Sequence, residues 1–194
     1  MHSAMTALSA NNFAATLVTS KKEALAQIQE WIPKGASVAN GASRTLEEIG
    51  YIDLLKSNTH GWDNLHEKVL AEKDQVKQAY LRKETTIADY YLGSVHALTE
   101  NGMLLIASNS GSQLPSIAFN AKNLIFVVGQ QKIVADLAAA FTRVKEVVIP
   151  LEDERMKGVY GFGTMHAKTL VLHKENAAMG RTARVILVQE NLGF

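Results

Sequence analysis

The chain has 194 residues, and its net charge of +1 over 20 basic and 19 acidic side chains offers no field for nucleic acid. It has no cysteine, which excludes disulfides, thiolate nucleophiles and Cys-ligated zinc or iron–sulfur sites on this chain. With 47% hydrophobic residues, and apolar runs of at most about eight against the roughly 20 a membrane helix needs, the expectation is one cytoplasmic domain, residues 1–194, with no membrane contact. The N-terminal MHSAMTALSANN has neither the charged segment nor the apolar segment of a signal peptide.

In chain order, Phe13–Val18 reads as a strand. Ser20 and Glu23 then have capping-box spacing, ahead of Ala24, Leu25, Ile28, Trp31 and Ile32 on one helical face, with Pro33 to Gly35 as the stop. Ala36–Ala39 reads as the next strand, and strand–helix–strand is the unit of an α/β sheet. Thr45 and Glu48 repeat the capping-box spacing for a second helix ending near Gly50. Leu65–Lys83 reads as a charged amphipathic helix with Leu65, Val69, Val76 and Tyr80 near one face.

Further strands are predicted at Ile87–Leu92, Met103–Ala107, Leu124–Val128, Glu146–Ile149, Thr169–Leu172 and Arg184–Val188, with helices at Leu114–Asn120 and Ile133–Phe141. Leu151–Met165 is Gly-containing and weakly patterned, which predicts an irregular loop. The resulting fold class is α/β: three α/β/α layers around a mostly parallel central sheet. An antiparallel edge is expected among the last three strands, where intervening helices are least evident.

Three polar loops carry the candidate chemistry. Asn40, Gly41, Ala42, Ser43, Arg44 and Thr45 lie between a strand and a helix start, where small residues, hydroxyls and a guanidinium suit an anion; the alternative is an ordinary capped turn. In the second loop, Ser94, His96, Thr99, Asn101 and Gly102 surround Glu100, the candidate general base or nucleophile, whose alternative is a surface turn carboxylate. His96 either contacts a ligand or is satisfied by backbone. Asn109, Ser110, Gly111 and Ser112 form the third loop, which is either a polar ligand wall or a Ser/Asn turn.

Several motifs are absent. The first loop lacks the spacing and lysine of a P-loop, and no G-x-S-x-G elbow supports a serine nucleophile. His2, His60, His66, His166 and His173 show no metal-ligand spacing, so neither a metal nor another cofactor is expected. Gly158–Gly163 does not stand between a strand and a helix, which argues against a dinucleotide fingerprint.

Four stretches in fixed order carry a family resemblance: Asn40–Gly50 (NGASRTLEEIG), Ala88–Leu105, Leu124–Val134 (LIFVVGQQKIV) and Arg184–Phe194 (RVILVQENLGF). Together they resemble the LUD-domain family, the lactate-utilisation proteins related to LutC, and specifically its short branch. The resemblance implies a fold of the NagB/RpiA/CoA-transferase type, whose members bind sugar phosphates, CoA thioesters or folates at strand ends. By that analogy Asn40–Thr45 is the anion-holding loop and Ser94–Gly102 the opposite wall. It also implies a small anionic metabolite as ligand and iron–sulfur partner proteins in a system oxidising L-lactate to pyruvate.

The chain departs from the short-branch pattern in three places. Leu151–Met165 has no cysteine where the family pattern is Cys-rich, His96 replaces an Asn, and Ser112-Gln113-Leu114 stands in place of Gly-Asn-Arg. The expectation is therefore a binder of a small organic anion or phosphorylated metabolite, without a redox centre of its own. Two alternatives stay open. One is an isomerase or acyl/CoA-transfer enzyme using Glu100. The other is a non-catalytic assembly subunit docking a partner through Val185–Phe194, and a homo-oligomer is a separate expectation.

Overall fold

The computed structural model describes residues 1–194. The elements in chain order are α1 (His2–Ala10), β1 (Ala14–Val18), α2 (Lys21–Trp31), β2 (Ser37–Asn40), α3 (Arg44–Glu48), α4 (Tyr51–Ser57), β3 (Asp63–Asn64), α5 (Leu65–Ala71) and α6 (Gln75–Glu84). There follow β4 (Tyr90–Gly93), β5 (Ala97–Thr99), β6 (Leu104–Ser108), β7 (Asn123–Gly129), β8 (Ile133–Val134), α7 (Leu137–Arg143), α8 (Ile149–Tyr160), β9 (Lys168–Leu172) and β10 (Thr182–Val188).

Six strands form a sheet in the order β1-β10-β7-β4-β2-β3, and every pairing in it is parallel. Its central strands read as continuous apolar runs because both faces are covered. Alternate residues of β7 serve opposite cores. Ile125 and Val127 pack with Ala24, Ile28, Leu46 and Tyr51 of α2, α3 and α4, whereas Leu124, Phe126 and Val128 pack with Ala4 and Leu8 of α1 and with the second sheet. Each such fully buried aliphatic side chain contributes about 1.5–3 kcal/mol.

The second sheet has the order β8-β5-β6-β9 and holds the antiparallel pairings, β5 with β6 and β6 with β9. Its inner residues Leu98, Leu104 and Ile106 join the core under the parallel sheet. Its outer residues Ala97, Leu105 and Ala107 pack against Ala140, Val144 and Val148. The architecture is thus three-layer α/β, with the mixed sheet built into one outer layer. Arg184–Val188 is not an edge: β10 lies between β1 and β7, so Val185–Val188 are buried inside the sheet and present no docking face.

Several local expectations are corrected. Residues 2–10, for which no element is predicted, form a helix because Ala4 and Leu8, one turn apart, are buried by the core. The predicted helix Leu65–Lys83 is broken at residues 72–74, where Asp74 caps α6 by accepting Val76 N–H at 2.8 Å and Lys77 N–H at 3.1 Å. Val76 and Tyr80 are exposed, and of that predicted face only Val69 is fully buried. Glu146–Ile149 is helical: a π-helical turn over Val144–Val148 links α7 to α8. Its β-branched residues suggest a strand, but Val144 and Val148 lie one turn apart and bury the same face.

Residues 151–160 continue as α8 up to Gly161, whose φ of +77° ends the helix, so only the following residues are irregular. Ile133–Val134 pairs in β8, and α7 starts later, at the Asp136 cap. Ala97–Thr99, expected within a loop, forms β5. Ile87 is exposed ahead of β4.

Candidate functional site

The carboxyl ends of β2 and β4 adjoin in the parallel sheet, and the chain leaves them in different directions, to α3 and to β5. Such strand ends are where open α/β sheets form clefts. A cleft of about 250 Å³ opens there, bounded by residues 41–44, 93–96 and 107–113, by Lys132, by α8 and by Phe194.

The first wall follows β2. Ser43, not Thr45, is the N-cap of α3: its hydroxyl accepts Leu46 N–H at 3.3 Å. This one-residue shift turns Thr45 inward, where it is buried and its hydroxyl donates to Leu192 O at 3.3 Å. Gly41 is needed because a Cβ there would stand 2.8 Å from Tyr91 Oη and 2.9 Å from Gln113 Oε1. Arg44 lines the rim but pairs with Glu47 at 2.7 Å and Glu48 at 3.7 Å.

Lys132 forms the floor and is 2% exposed. It ends the short 3-10 turn Gln130–Lys132 that follows β7, which carries it to the cleft. Its Nζ donates to Thr45 Oγ1 at 3.0 Å and to Ser94 Oγ at 3.1 Å. Both hydroxyls spend their own protons on carbonyls, Thr45 on Leu192 O and Ser94 on Val127 O at 2.6 Å. They can therefore only accept from the amine. Burial, and then the charge of Arg143, pushes the Lys132 amine down to about 7, against a partial pull upward from Glu48.

His96 stands on the opposite wall. Its Nδ1 accepts Ala107 N–H at 3.0 Å, so the neutral ring carries its proton on Nε2. His96 is among the residues lining the cleft, and burial, followed by the charges of Lys132, Arg143 and His166, holds its pKa well below the ordinary value. His96 O accepts Arg143 Nε–H at 3.0 Å, which fixes that cation behind the wall. The imidazole is consequently a neutral N–H donor.

The C-terminal segment closes the floor. Gln131 Nε2 donates to Leu192 O at 2.9 Å and Gly193 O at 3.0 Å, while its Oε1 accepts Leu192 N–H at 3.2 Å. Gly193 N–H donates to Glu48 Oε2 at 2.8 Å. At φ +60°, Gly193 lies so close that a Cβ would clash with Thr45 Oγ1 and stand 3.3 Å from Lys132 Nζ. Across the cleft, α8 presents Glu152 and Arg155, joined by two 2.7 Å hydrogen bonds.

Of the residues singled out from sequence, Gly41, Ala42, Ser43, Arg44, Ser94, His96, Asn109, Ser110 and Ser112 line the cleft. Thr45 lies behind it against Lys132, and Asn40 turns its amide to Gly41 O at 3.1 Å. Gly111 packs on the Lys168 side chain, with an added Cβ only 2.7 Å from its Cδ. Thr99, Glu100, Asn101 and Gly102 form the hairpin turn at the far end of β5, where Asn101 O accepts Asn11 Nδ2–H at 2.9 Å and Gly102 abuts Ala7. Glu100 is exposed there, about 13 Å along the strand from His96 at the usual rise per residue, so the fold does not bring it to the cleft.

Lys132, Glu152, Arg155 and Phe194 are cleft residues that pattern reading misses, whereas Gln113 ends the third polar loop. Of these, Lys132 alone had a signal, being the first cation after the apolar strand Leu124–Val128.

The LUD domain model matches residues 1–188. The chain belongs to the LUD-domain family. That family is related to lactate-utilisation proteins. This LUD-domain protein is also similar in structure to a DUF162 family protein from Deinococcus radiodurans, with a TM-score of 0.51 and 10% identity, over 96% of this chain and 93% of that one. At that identity the likeness shows the fold alone. No curated protein matches the chain. No helix of the LUD domain is long and apolar enough to cross a membrane.

Proposed function

We propose that this LUD-domain protein binds a small organic anion, a carboxylate or phosphorylated metabolite, in the cleft over Lys132. It would act there as an accessory component of L-lactate oxidation to pyruvate, beside iron–sulfur partner proteins. The observation that carries the reading is the Lys132 amine, held by two hydroxyls that can only accept from it. When protonated, the amine has a third N–H left over for a ligand. His96 Nε2–H adds a neutral donor, while Arg44 and Arg155 at the rim are each paired with glutamates. An anion settling beside Lys132 raises the amine pKa, so binding is coupled to proton uptake near neutral pH.

Isothermal titration with lactate, pyruvate, sugar phosphates and CoA esters tests the reading, with a thermal-shift screen in parallel. A ligand at 100 times its Kd stabilises the fold by about 2.7 kcal/mol. Absence of heat and of stabilisation with every one of these compounds refutes it. No observation favours the isomerase or acyl-transfer reading through Glu100. The carboxylate that does line the cleft, Glu152, is engaged by Arg155.

A further inference from the structure

The arrangement around Lys132 also accommodates a neutral amine. Nζ has two hydrogen-bond acceptors, Thr45 Oγ1 at 3.0 Å and Ser94 Oγ at 3.1 Å. A neutral amine has two N–H groups and one lone pair. With both N–H groups directed at the hydroxyls, the lone pair is left for the remaining direction. Lys132 is among the residues that line the cleft, and Gly193 lies beside Nζ, where even a Cβ would come within 3.3 Å.

We propose that Lys132 is a nucleophile that forms a reversible imine with the carbonyl of a small carbonyl-bearing carboxylate of the 2-oxo acid class. This rests on the anion-binding reading of the same cleft and names the ligand class within it. The carboxylate of such a ligand faces His96 Nε2–H, and its carbonyl carbon faces Nζ. The Nζ lone pair adds to that carbon, forming the C–N bond, while the carbonyl π pair moves to oxygen. One Nζ proton passes to that oxygen, giving a carbinolamine. The second Nζ proton and the hydroxyl then leave as water, and C=N forms. No electrons are exchanged with an outside reagent, and water reverses the sequence.

The hydroxyl pair keeps the amine oriented through addition, and the glycine at 193 keeps a side chain from filling the space beside Nζ. The environment also favours the reactive form. With the amine lowered to about 7, roughly half of Lys132 is neutral at pH 7, against less than about one in a thousand for an ordinary surface lysine.

The test uses the full-length protein with pyruvate and sodium borohydride at pH 7, read by intact mass and by peptide mapping, with pyruvate calorimetry alongside. The expected result is one reduced-pyruvate adduct, on the peptide carrying Lys132, at least about tenfold above any other lysine peptide, given the ratio of neutral fractions. Lys132→Met should lose that adduct; if the variant does not fold, the wild-type map decides alone. Adducts spread evenly over surface lysines overturn the proposal. Calorimetric binding without trapping also overturns it and leaves the anion-binding reading standing. Loss of both heat and adduct with pyruvate overturns the imine proposal and leaves the anion-binding reading to the wider ligand screen.

Discussion

Replacing Lys132 by Met removes a titrating amine from the protein interior at nearly constant length, and the pH dependence of stability should report it. The ordinary lysine value is 10.5, and the folded value is about 7. Between those limits the unfolded chain binds more protons than the fold, so the wild type gains stability as pH rises through this window. Below pH 7 both states are protonated and the slope vanishes. Integrating from pH 7 to pH 9 assigns about 2 kcal/mol to this single group. All other titrating groups cancel in the difference between wild type and variant. Urea unfolding at the two pH values, followed through the buried Trp62, measures that difference. Lys132→Met should therefore lose about 2 kcal/mol of its relative stability on going from pH 7 to pH 9. A difference that stays flat within about 0.5 kcal/mol refutes the assignment of a depressed pKa to Lys132.

Gly193→Ala should lower stability by about 1–3 kcal/mol, because φ +60° and the Thr45 contacts leave no room for a methyl group; a thermal melt equal to the wild type would contradict the closed floor. His96 should stay neutral and protonated on Nε2 from pH 5 to 8, as read by imidazole nitrogen shifts, and a midpoint inside that range would refute the wall geometry. Since its folded pKa lies below 6.5, the fold binds fewer protons than the unfolded chain, and stability is lost as pH falls below that value. Glu100→Gln should leave ligand affinity measured by calorimetry unchanged. A large loss would mean that the cleft over Lys132 is not the binding site.

Much of the parallel sheet is legible along the chain. Strands near β1, β2, β7 and β10 follow from short apolar runs bounded by polar or glycine residues, because burial on both faces demands such runs. The Ser20 cap is also legible: its hydroxyl accepts Glu23 N–H at 3.3 Å, although Glu23 reaches back to Thr19 N–H, at 2.8 Å, one residue earlier than expected. Helix against strand in residues 144–149 was not legible. Val-Lys-Glu-Val-Val-Ile has strand-like composition, and only a second sheet offering Ala97, Leu105 and Ala107 selects the helical face. The break between α5 and α6 has a local cause in Asp74, but the charged surroundings of that cap hide it from periodicity.

The candidate site divides in the same way. Its loops were visible because small and polar residues follow apolar strands, and most of residues 41–44 and 108–112 do line one cleft. The partition of the Ser94–Gly102 stretch was not visible. A three-residue strand carries its start to the cleft and its end to α1, so His96 and Glu100 are separated despite being four positions apart.

By itself, the sequence determines that this protein is an α/β domain with polar loops at strand ends and without cysteine chemistry, because those properties follow from composition and from local periodicity. Tertiary structure alone decides which polar groups meet. Lys132 is joined to Thr45, 87 residues away, and to Ser94, 38 away, and Gly193 covers them from the chain end. An amine acquires its protonation state from that company, through desolvation and neighbouring charge, and no pattern of adjacent residues encodes either one.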